Sequence, residues 1–592
     1  MCFPSSKDGG RQRVCGSHLS LLNNTVKSGG QEAWLFVSSV TVIACLMGTT
    51  SAAGCGHRRH DSAGKHPAAT APSTTPPGAT TATVASPMPH VGSLPERPPP
   101  VDPNAHRGGV LRLSLEGEPP HLNPLADTLE VIDRVAGLVY QTMIECQDDQ
   151  YLPGLADAWE TSPDGTRLSL HLRPGARWQD DKPLTTIDVQ ATLEYLMRSQ
   201  NSSQALHALL ADVEGADMFP ERTIRLRLAR PSDLTLRALC EIPILPAEAL
   251  RGGSARLAQL GRSPVGTGPF RLASWERGKR IRLVRNKLLD PHDAPLLDEI
   301  VFEIDNDLAR ALTRLRRGEI DILPRVSEAH YPEQVSQAAL RDVLSMYIQK
   351  PDRYSFVLLN TRHGVLADPA FRHALSLLWD RARFAEEFHH GLAHPIGAPT
   401  FGDVAPDPFD RERAAQVLDQ AGYRDSNGDG VREVNGEAIR LLFLLPAGAR
   451  TLAAEVKSFA LDLRRAGILL DTTTVDPASL PAKIQHGDFE LAAMSWDGRA
   501  DEDPRLLLGS QGDFQLTGYR SERFSTTIDL WHAAVGATGR APLAQRLAEI
   551  LAEDRPALFL YRHDIPVLVS RRVHGLYATS DRLNLQAVWV DP

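Results

Sequence analysis

The fold is decided by residues 152–197, which read LPGLADAWETSPDGTRLSLHLRPGARWQDDKPLTTIDVQATLEYLM. A turn is predicted at Ser162-Pro163-Asp164-Gly165, because proline and glycine supply the backbone dihedrals that a tight turn needs. Directly after it, polar residues separate the leucines Leu168, Leu170 and Leu172. A period of two predicts a β-strand with one buried face.

A helix is predicted at the end of the same stretch. Thr185-Thr186-Ile187-Asp188 follows a break at Asp180–Pro183, and a threonine hydroxyl there can cap the first helical turn. Asp188 then lies near the positive end of the helix dipole. The apolar residues Val189, Leu193 and Leu196 recur at helical spacing. The order of turn, strand, turn and helix is more informative than any one of these elements.

This order resembles the signature segment of the family 5 extracytoplasmic solute-binding proteins, the oligopeptide-, dipeptide- and nickel-binding receptors of ABC importers. Many dispersed residues match the family pattern at its spacing: Leu155-Ala156-Asp157-Ala158-Trp159, Ser162, Asp164-Gly165, His171-Leu172-Arg173, Trp178, Asp180, Pro183-Leu184-Thr185 and Asp188-Val189. Further matches, including PVGTGPF at 264–270, extend the resemblance over residues 108–592. Asp181 stands where the family usually has glycine, which leaves the shape of that turn open.

The resemblance implies an α/β fold with two lobes of the periplasmic-binding-protein type, a third small subdomain, and crossover strands that join the lobes. Closure of such lobes buries a ligand between them. We expect the small subdomain at residues 142–223 and the second lobe at residues 347–557. The first lobe is expected at residues 107–141, 224–346 and 558–592.

An export signal and a tether are predicted before residue 107. Residues 33–49 form one apolar run, which is short for a membrane-spanning helix and suits the core of a signal peptide. The small residues Ser51-Ala52-Ala53-Gly54 before Cys55 resemble a bacterial lipobox, so we interpret residues 1–54 as a lipoprotein signal peptide with lipid attached to Cys55. Cys45 is a second, weaker candidate for the lipid, and an uncleaved membrane anchor is the alternative to cleavage. Residues 55–106 carry little apolar bulk, which predicts a disordered tether rich in Pro, Ala and Thr. The chain is therefore expected outside the cytoplasm, held to a bacterial membrane by its lipid.

The composition argues against several other classes of protein. A formal net charge of -9 over 592 residues argues against a nucleic-acid binder, which would present a basic surface. The sequence lacks a GxxxxGK[ST] phosphate loop, an HExxH motif and a GxSxG motif. We therefore expect no catalytic residues, no cofactor and no enzymatic activity.

Two cysteines, Cys146 and Cys240, lie in the part of the chain that is expected to fold. In an oxidising compartment they can form one disulfide, but two buried thiols fit equally well because the sequence does not give their separation.

Two segments suggest metal ligands without completing a set. His389, His390 and His394 cluster in sequence, yet no carboxylate or cysteine at a suitable spacing joins them. Asp425–Gly430 resembles the front of a calcium loop, but Gly436 stands where a twelfth-position glutamate is needed. We expect no metal site.

The resemblance also implies two ligand-contacting segments. In family members the extended chain just after an Asn-Pro pair approaches the ligand, which here indicates Ala126, Asp127 and Thr128. A second segment combines a strand with an acidic loop and supplies the candidates Met494, Ser495, Trp496, Asp497, Arg499 and Asp501.

The acidic loop departs from the pattern of the peptide-binding members. In those proteins an aspartate shortly after the tryptophan receives the α-amino group of the peptide, because a buried cation needs a carboxylate in place of water. Arg499 stands at that position, so Asp501, or else Asp497, is the candidate. Alternatively, the ligand is not a free-amino peptide and Arg499 favours an anionic group.

The expected function is capture of a peptide or a similar small solute for an ABC importer, whose permease and ATPase subunits are separate chains. The alternative is an envelope lipoprotein that uses the same fold for signalling or assembly without import.

Overall fold

The computed structural model describes Val40–Thr41 and residues 91–591, apart from residues 96, 98, 100–101, 127–128, 148–149, 199–201, 221, 233, 290–292, 328–329, 336–339, 341, 400–401, 478, 498–515, 535 and 579–581. Within these described residues, every helix is too short or too polar to span a membrane.

The first lobe is built on an eight-stranded mixed sheet. At its centre, Val110–Leu115 pairs in parallel with Glu299–Ile304, and alternate apolar side chains of both strands enter the main hydrophobic cluster: Leu111, Leu113, Leu115, Ile300, Phe302 and Ile304. Across the sheet, the strands run in the order Phe270–Glu276, Arg280–Arg285, Glu299–Ile304, Val110–Leu115, Ile322–Leu323, Ile565–Ser570, Leu344–Gln349 and Val91–Ser93.

The second lobe is built on a seven-stranded sheet. Hydrophobic clusters cover both of its faces, which explains why its strands read as nearly continuous apolar runs such as Tyr354–Leu359. Six strands run in the order Ala393–Pro395, Ala557–His563, Arg353–Leu359, Leu491–Asp497, Arg440–Pro446 and Leu469–Val475, and Val40–Thr41 pairs with Leu491–Asp497.

Two crossovers join the lobes. Leu344–Gln349 belongs to the first sheet, and after residues 350–352 the chain continues in the second sheet as Arg353–Leu359. The return path runs from Ala557–His563 in the second sheet, through Asp564, to Ile565–Ser570 in the first. The two-lobed α/β fold with crossover strands is thus confirmed.

The small subdomain carries the signature segment. Its four-stranded antiparallel sheet has the order Ala156–Thr161, Arg167–Leu172, Thr223–Leu228 and Val213–Phe219. The helix Thr186–Arg198 follows, and Asp188 Oδ2 accepts hydrogen bonds from the backbone N–H (2.9 Å) and the hydroxyl (3.2 Å) of Thr185. The predicted strand and helix start are therefore confirmed, with Asp188 itself reaching back to cap the helix.

The turn that lacks the family glycine keeps a glycine-like backbone. Asp181 has φ 69°, in the left-handed region that glycine adopts most easily. Aspartate tolerates this region better than most residues. The side chain of Asp181 is therefore compatible with the left-handed backbone that this turn adopts.

The other helices pack around these sheets. They are Glu130–Val139, Gln204–Leu209, Leu234–Glu241, Ala247–Arg251, Gly253–Arg262, Leu308–Arg316, Pro369–Leu378, Arg381–His389, Arg411–Gln420, Arg450–Arg465, Leu480–His486, Glu522–Ala533 and Gly536–Asp554, with a 3₁₀ turn at Gly364–Ala367. Short two-stranded pairs complete the fold: Ile144–Gln147 with Gln150–Pro153, Glu433–Val434 with Glu437–Ala438, Val573–His574 with Trp589–Val590, and Tyr577–Ala578 with Leu583–Asn584.

Strand pairing corrects three of the expected bounds. The tether was expected to reach residue 106, but the folded part begins earlier. Val91–Ser93 pairs with Leu344–Gln349 and Leu94 is buried, because apolar residues that can join the first lobe already occur at 91–94. The small sheet extends to residue 228 instead of ending at 223. Likewise, Ala557–His563 pairs in the second sheet, although residues 558–592 are expected in the first lobe. Alternation predicts a strand but does not say which sheet it joins.

The loop Pro264–Phe270 ties the small subdomain to the first lobe. Gln179 donates through Nε2 to the carbonyls of Val139 (3.3 Å), Gly268 (3.2 Å) and Phe270 (2.8 Å), and its Oε1 accepts from the Gly266 N–H (3.1 Å). A Cβ atom at Gly266 would lie 1.8 Å from the Val139 carbonyl oxygen. Glycine is needed here so that the loop can lie against the end of the helix Glu130–Val139.

We expect Gly266→Ala to lower the free energy of unfolding by about 1–3 kcal/mol, because backbone atoms must move to admit the methyl group. Gly539→Ala is the matched control, since its Cβ would meet only ordinary contact at 3.7 Å, and we expect it to be neutral or stabilising by up to about 1 kcal/mol. Urea unfolding measures both. Equal stabilities for the two variants would contradict this packing.

A disulfide joins Cys146 to Cys240, with the two Cα atoms 5.6 Å apart. It links the strand Ile144–Gln147 to the helix Leu234–Glu241 and spans 94 residues of sequence. The bond therefore fastens the start of the small subdomain to the point where the chain has returned to the first lobe.

Cross-linking across so long a segment restricts the unfolded chain, so the double variant Cys146→Ser/Cys240→Ser should lose about 2–4 kcal/mol of unfolding free energy. A reductant should destabilise the natural protein by a similar amount and leave the double variant unchanged. Urea unfolding with and without reductant tests this, and an equal response of both proteins would contradict it.

Candidate functional site

The expected ligand strand, Leu491–Asp497, has one edge that is only partly covered by the sheet. Its first edge pairs along its whole length with Arg353–Leu359. On the other edge, Arg440–Pro446 pairs only at Leu491 and Ala492. Beyond that point the same edge accepts Val40–Thr41 as a short antiparallel strand, opposite Ser495 and Trp496. The backbone of this half of the strand therefore has the geometry to add a further extended segment.

The side chains of the expected ligand strand face the interior. Met494 and Trp496 are 1% and 3% exposed and pack with Tyr354 and Phe356 in one hydrophobic cluster. Ser495, on the opposite face, is also buried. These residues hold the strand in place, and the edge that pairs with Val40–Thr41 presents main-chain groups.

The first expected segment lies near the start of the helix Glu130–Val139. Asn123 is buried, and its Oδ1 accepts a hydrogen bond of 3.1 Å from the backbone N–H of Leu125. This turn leads to the half-buried Ala126. Asp127, Thr128, Arg499, Asp501 and Cys55 lie outside the described residues, and Asp497 is described by its backbone alone.

Glu130 is a residue of this region that the sequence analysis missed. Its Oε2 accepts hydrogen bonds from Arg325 (3.2 Å) and Arg353 (3.1 Å), while its Oε1 accepts one from Arg134 (2.5 Å). Arg353 belongs to the second lobe and pairs in register with Asp497, whereas Glu130, Arg134 and Arg325 belong to the first lobe. One carboxylate therefore connects the start of the helix Glu130–Val139 in the first lobe to the strand Arg353–Leu359 in the second.

The charge on Glu130 is secured by its neighbours. Burial raises the pKa of this carboxyl, but Arg134, Arg325 and Arg353 together hold the pKa well below its usual range. A depressed pKa means that the ion pairs contribute above the unfolded-state pKa and are lost only as the pH falls through the lower folded-state value. They are thus fully formed at neutral pH. No local motif marks this site, since Arg325 and Arg353 lie 195 and 223 positions from Glu130 in the sequence.

Two of the three histidines that suggested a metal, His389 and His394, are each paired with a different carboxylate. His389 Nε2 lies 2.8 Å from Glu455, and His394 Nε2 lies 2.9 Å from Asp564. Asp425 accepts the backbone N–H groups of Gly428 and Gly430, so it closes its own turn. Over the described ranges, three or more metal-ligating side chains come together nowhere.

Comparison with known proteins agrees with this architecture. Residues 150–515 match the family described as bacterial extracellular solute-binding proteins, family 5. The oligopeptide-binding protein AppA of Bacillus subtilis is 22% identical over 510 residues, covering 82% of this chain and 92% of AppA. The dipeptide-binding protein of Escherichia coli is 23% identical over 511 residues, which cover 78% of this chain and 90% of the E. coli protein.

Solved structures show the same fold. AppA of B. subtilis in complex with a nonapeptide superposes with a TM-score of 0.70 at 19% identity, over 83% of this chain and all of AppA. NikA of Brucella suis in complex with Fe(III)-EDTA superposes with a TM-score of 0.72 at 19% identity, over 82% of this chain and all of NikA.

The family match covers more than half of the chain, and the two sheets, the crossovers and the small subdomain complete the expected architecture. This chain belongs to the family 5 bacterial extracellular solute-binding proteins.

Proposed function

We propose that this chain is the solute-binding component of an ABC importer and that it captures a peptide, or a similar small solute, between its two lobes. The ligand is then delivered to a membrane permease powered by separate ATPase subunits. The protein alters no covalent bond of its ligand. Family membership supports the solute-binding role, and the edge of Leu491–Asp497 that Arg440–Pro446 covers only in part supports the choice of ligand.

Main-chain recognition is the reason for favouring a peptide. An extended peptide can add to a free strand edge through its own N–H and C=O groups, with little dependence on its side chains. Val40–Thr41 demonstrates that the edge at Ser495 and Trp496 accommodates such a segment in antiparallel register. Because these two residues lie within the predicted signal peptide, cleavage before Cys55 would leave the edge open to a ligand.

The charged termini of the peptide would be recognised by the loop that follows. Asp501, or else Asp497, is proposed to receive the α-amino group, since closure of the lobes removes water from that cation. The alternative proposal gives Arg499 the leading role, with an anionic group on the ligand. Ala126, Asp127 and Thr128 would contact the ligand from the first lobe.

The location follows from the N-terminal sequence. Cys55 is proposed to carry lipid, so that the folded part stays on the outer side of a bacterial membrane. A tether from residue 56 to about residue 90, where the sheet begins, lets the anchored protein reach both free solute and the permease.

Ligand binding should stabilise the folded protein. We expect at least one member of a library of two- to nine-residue peptides to raise the unfolding free energy by about 2.7 kcal/mol at a concentration near 100 times its Kd. Thermal shift measures this, with free amino acids as the control. If no peptide stabilises the protein but a nickel–histidine chelate does, the peptide assignment is wrong; if nothing binds, the non-transporting envelope role gains support.

The two alternatives for the terminal charge predict opposite results for N-acetylated peptides. If Asp501 receives the ammonium group, Asp501→Asn should weaken binding of a free-amino peptide by about tenfold or more and leave its N-acetylated form unaffected. Asp497→Asn is the matched control. If instead the acetylated peptide binds natural protein as tightly as the free one, and Arg499→Gln weakens both, the ammonium site is excluded. Isothermal titration calorimetry provides the Kd values.

A further inference from the structure

We propose that the ion pair between Glu130 and Arg353 is a latch that forms when the lobes close and breaks when they open, so that it sets how long the ligand is held. This inference rests on the proposed function, because it assigns positioning residues to ligand capture. Neither residue belongs to the expected ligand-contacting segments.

The placement of the two residues is the first argument. Glu130 begins a helix of the first lobe, two positions after the expected ligand segment Ala126–Thr128. Arg353 begins a strand of the second lobe, in register with Asp497 at the end of the expected ligand strand. A bond between them holds the first turn of this helix and the start of this strand in a fixed relative position.

The composition of the cluster is the second argument. Arg134, on the same helix, and Arg325 both lie in the first lobe, so their contacts with Glu130 persist whatever the lobes do. Arg353 alone among these three arginines reaches the carboxylate from the other lobe, at 3.1 Å. Rotation of the second lobe therefore changes one contact of Glu130 and leaves two in place, which keeps the carboxylate charged and oriented for reclosure.

The third argument is that partial burial of the Glu130–Arg353 pair strengthens its contribution to the closed state. The Arg353 side chain is 16% exposed and that of Glu130 is 41% exposed, so the pair is partly shielded without being fully desolvated. Such a pair gains more than one at the open surface and does not incur the large desolvation cost of a fully buried one. An ion pair of this intermediate strength can shift the equilibrium between open and closed lobes and still allow the lobes to open.

The test compares Arg353→Gln with Arg134→Gln. Each variant removes one positive charge from the same carboxylate, so long-range effects on a charged ligand are similar, but only the first removes a contact between lobes. With the library peptide that binds natural protein most tightly, we expect Arg353→Gln to raise the Kd about three- to tenfold through faster dissociation. Arg134→Gln should change it less than twofold. Stopped-flow kinetics and calorimetry measure both.

Two further readouts separate a latch from a general structural role. Glu130→Gln should weaken binding as much as Arg353→Gln, and the double variant should be no weaker than either single one. The ratio of the Kd values of Arg353→Gln and Arg134→Gln should also fall towards one as salt is added, because salt screens the pair. Equal Kd values for Arg353→Gln and Arg134→Gln, or additive losses in the double variant, would overturn the latch.

If no peptide binds the natural protein, the proposed function fails. The latch is then tested separately, by measurements on the ligand-free protein. Spin labels at exposed Lys279 in the first lobe and Lys457 in the second report the distance between lobes. Arg353→Gln should shift the distance distribution relative to both natural protein and Arg134→Gln. Identical distributions in all three proteins would then overturn the proposal.

Discussion

Everything that this protein does between its lobes is constrained by the ribbon that joins them. The two crossover strands are paired on both sides of the junction, at Gln349 with Ile565 in the first sheet and at Tyr354 with Arg562 in the second. The ring of His563 lies 2.8 Å from the Ser355 hydroxyl and adds a side-chain contact across the same ribbon. Relative motion of the lobes must therefore be absorbed by the few residues between these pairs.

The junction residues are themselves restrained. Pro351 fixes one φ angle of the first crossover. On the return path, the Asp564 N–H donates to the carbonyl of Leu392 at 2.7 Å, and its carboxylate lies 2.9 Å from His394. Leu392 precedes a second-lobe strand yet packs into a hydrophobic cluster of the first lobe. These restraints limit how the lobes can move about the junction. A single ion pair nearby, between Glu130 and Arg353, can therefore influence that motion.

The sequence predicted local structure well because its signals are local. Alternating leucines gave the strand Arg167–Leu172, and the Thr185–Asp188 motif gave the start of the following helix. The resemblance added the two lobes and the crossovers. What failed was the assignment of strands to sheets: Thr223–Leu228 and Ala557–His563 have ordinary strand patterns, and only long-range pairing decides where each belongs. Whether Cys146 meets Cys240 was undecidable for the same reason.

The candidate site shows this limit more sharply. Met494, Ser495 and Trp496 could be selected from the sequence because they lie in a recognisable strand, but their burial and the openness of the strand edge depend on neighbouring strands. Glu130 could not be selected at all. Its importance comes from Arg325 and Arg353, which the fold brings to it from opposite sides of the crossover.

The proposed function assigns binding and selectivity to different parts of the molecule. A strand whose large side chains are packed inward offers a peptide only hydrogen-bonding groups of the backbone, and every peptide has the same groups to return. Discrimination must then come from side chains that approach the ligand elsewhere. In this sequence the charged segment 497–503 begins at the last residue of the strand, and its Arg499 lies between Asp497 and the acidic run Asp501-Glu502-Asp503. On this proposal, a change of ligand in this protein can be made in that loop while the strand, its core and the crossover ribbon stay as they are.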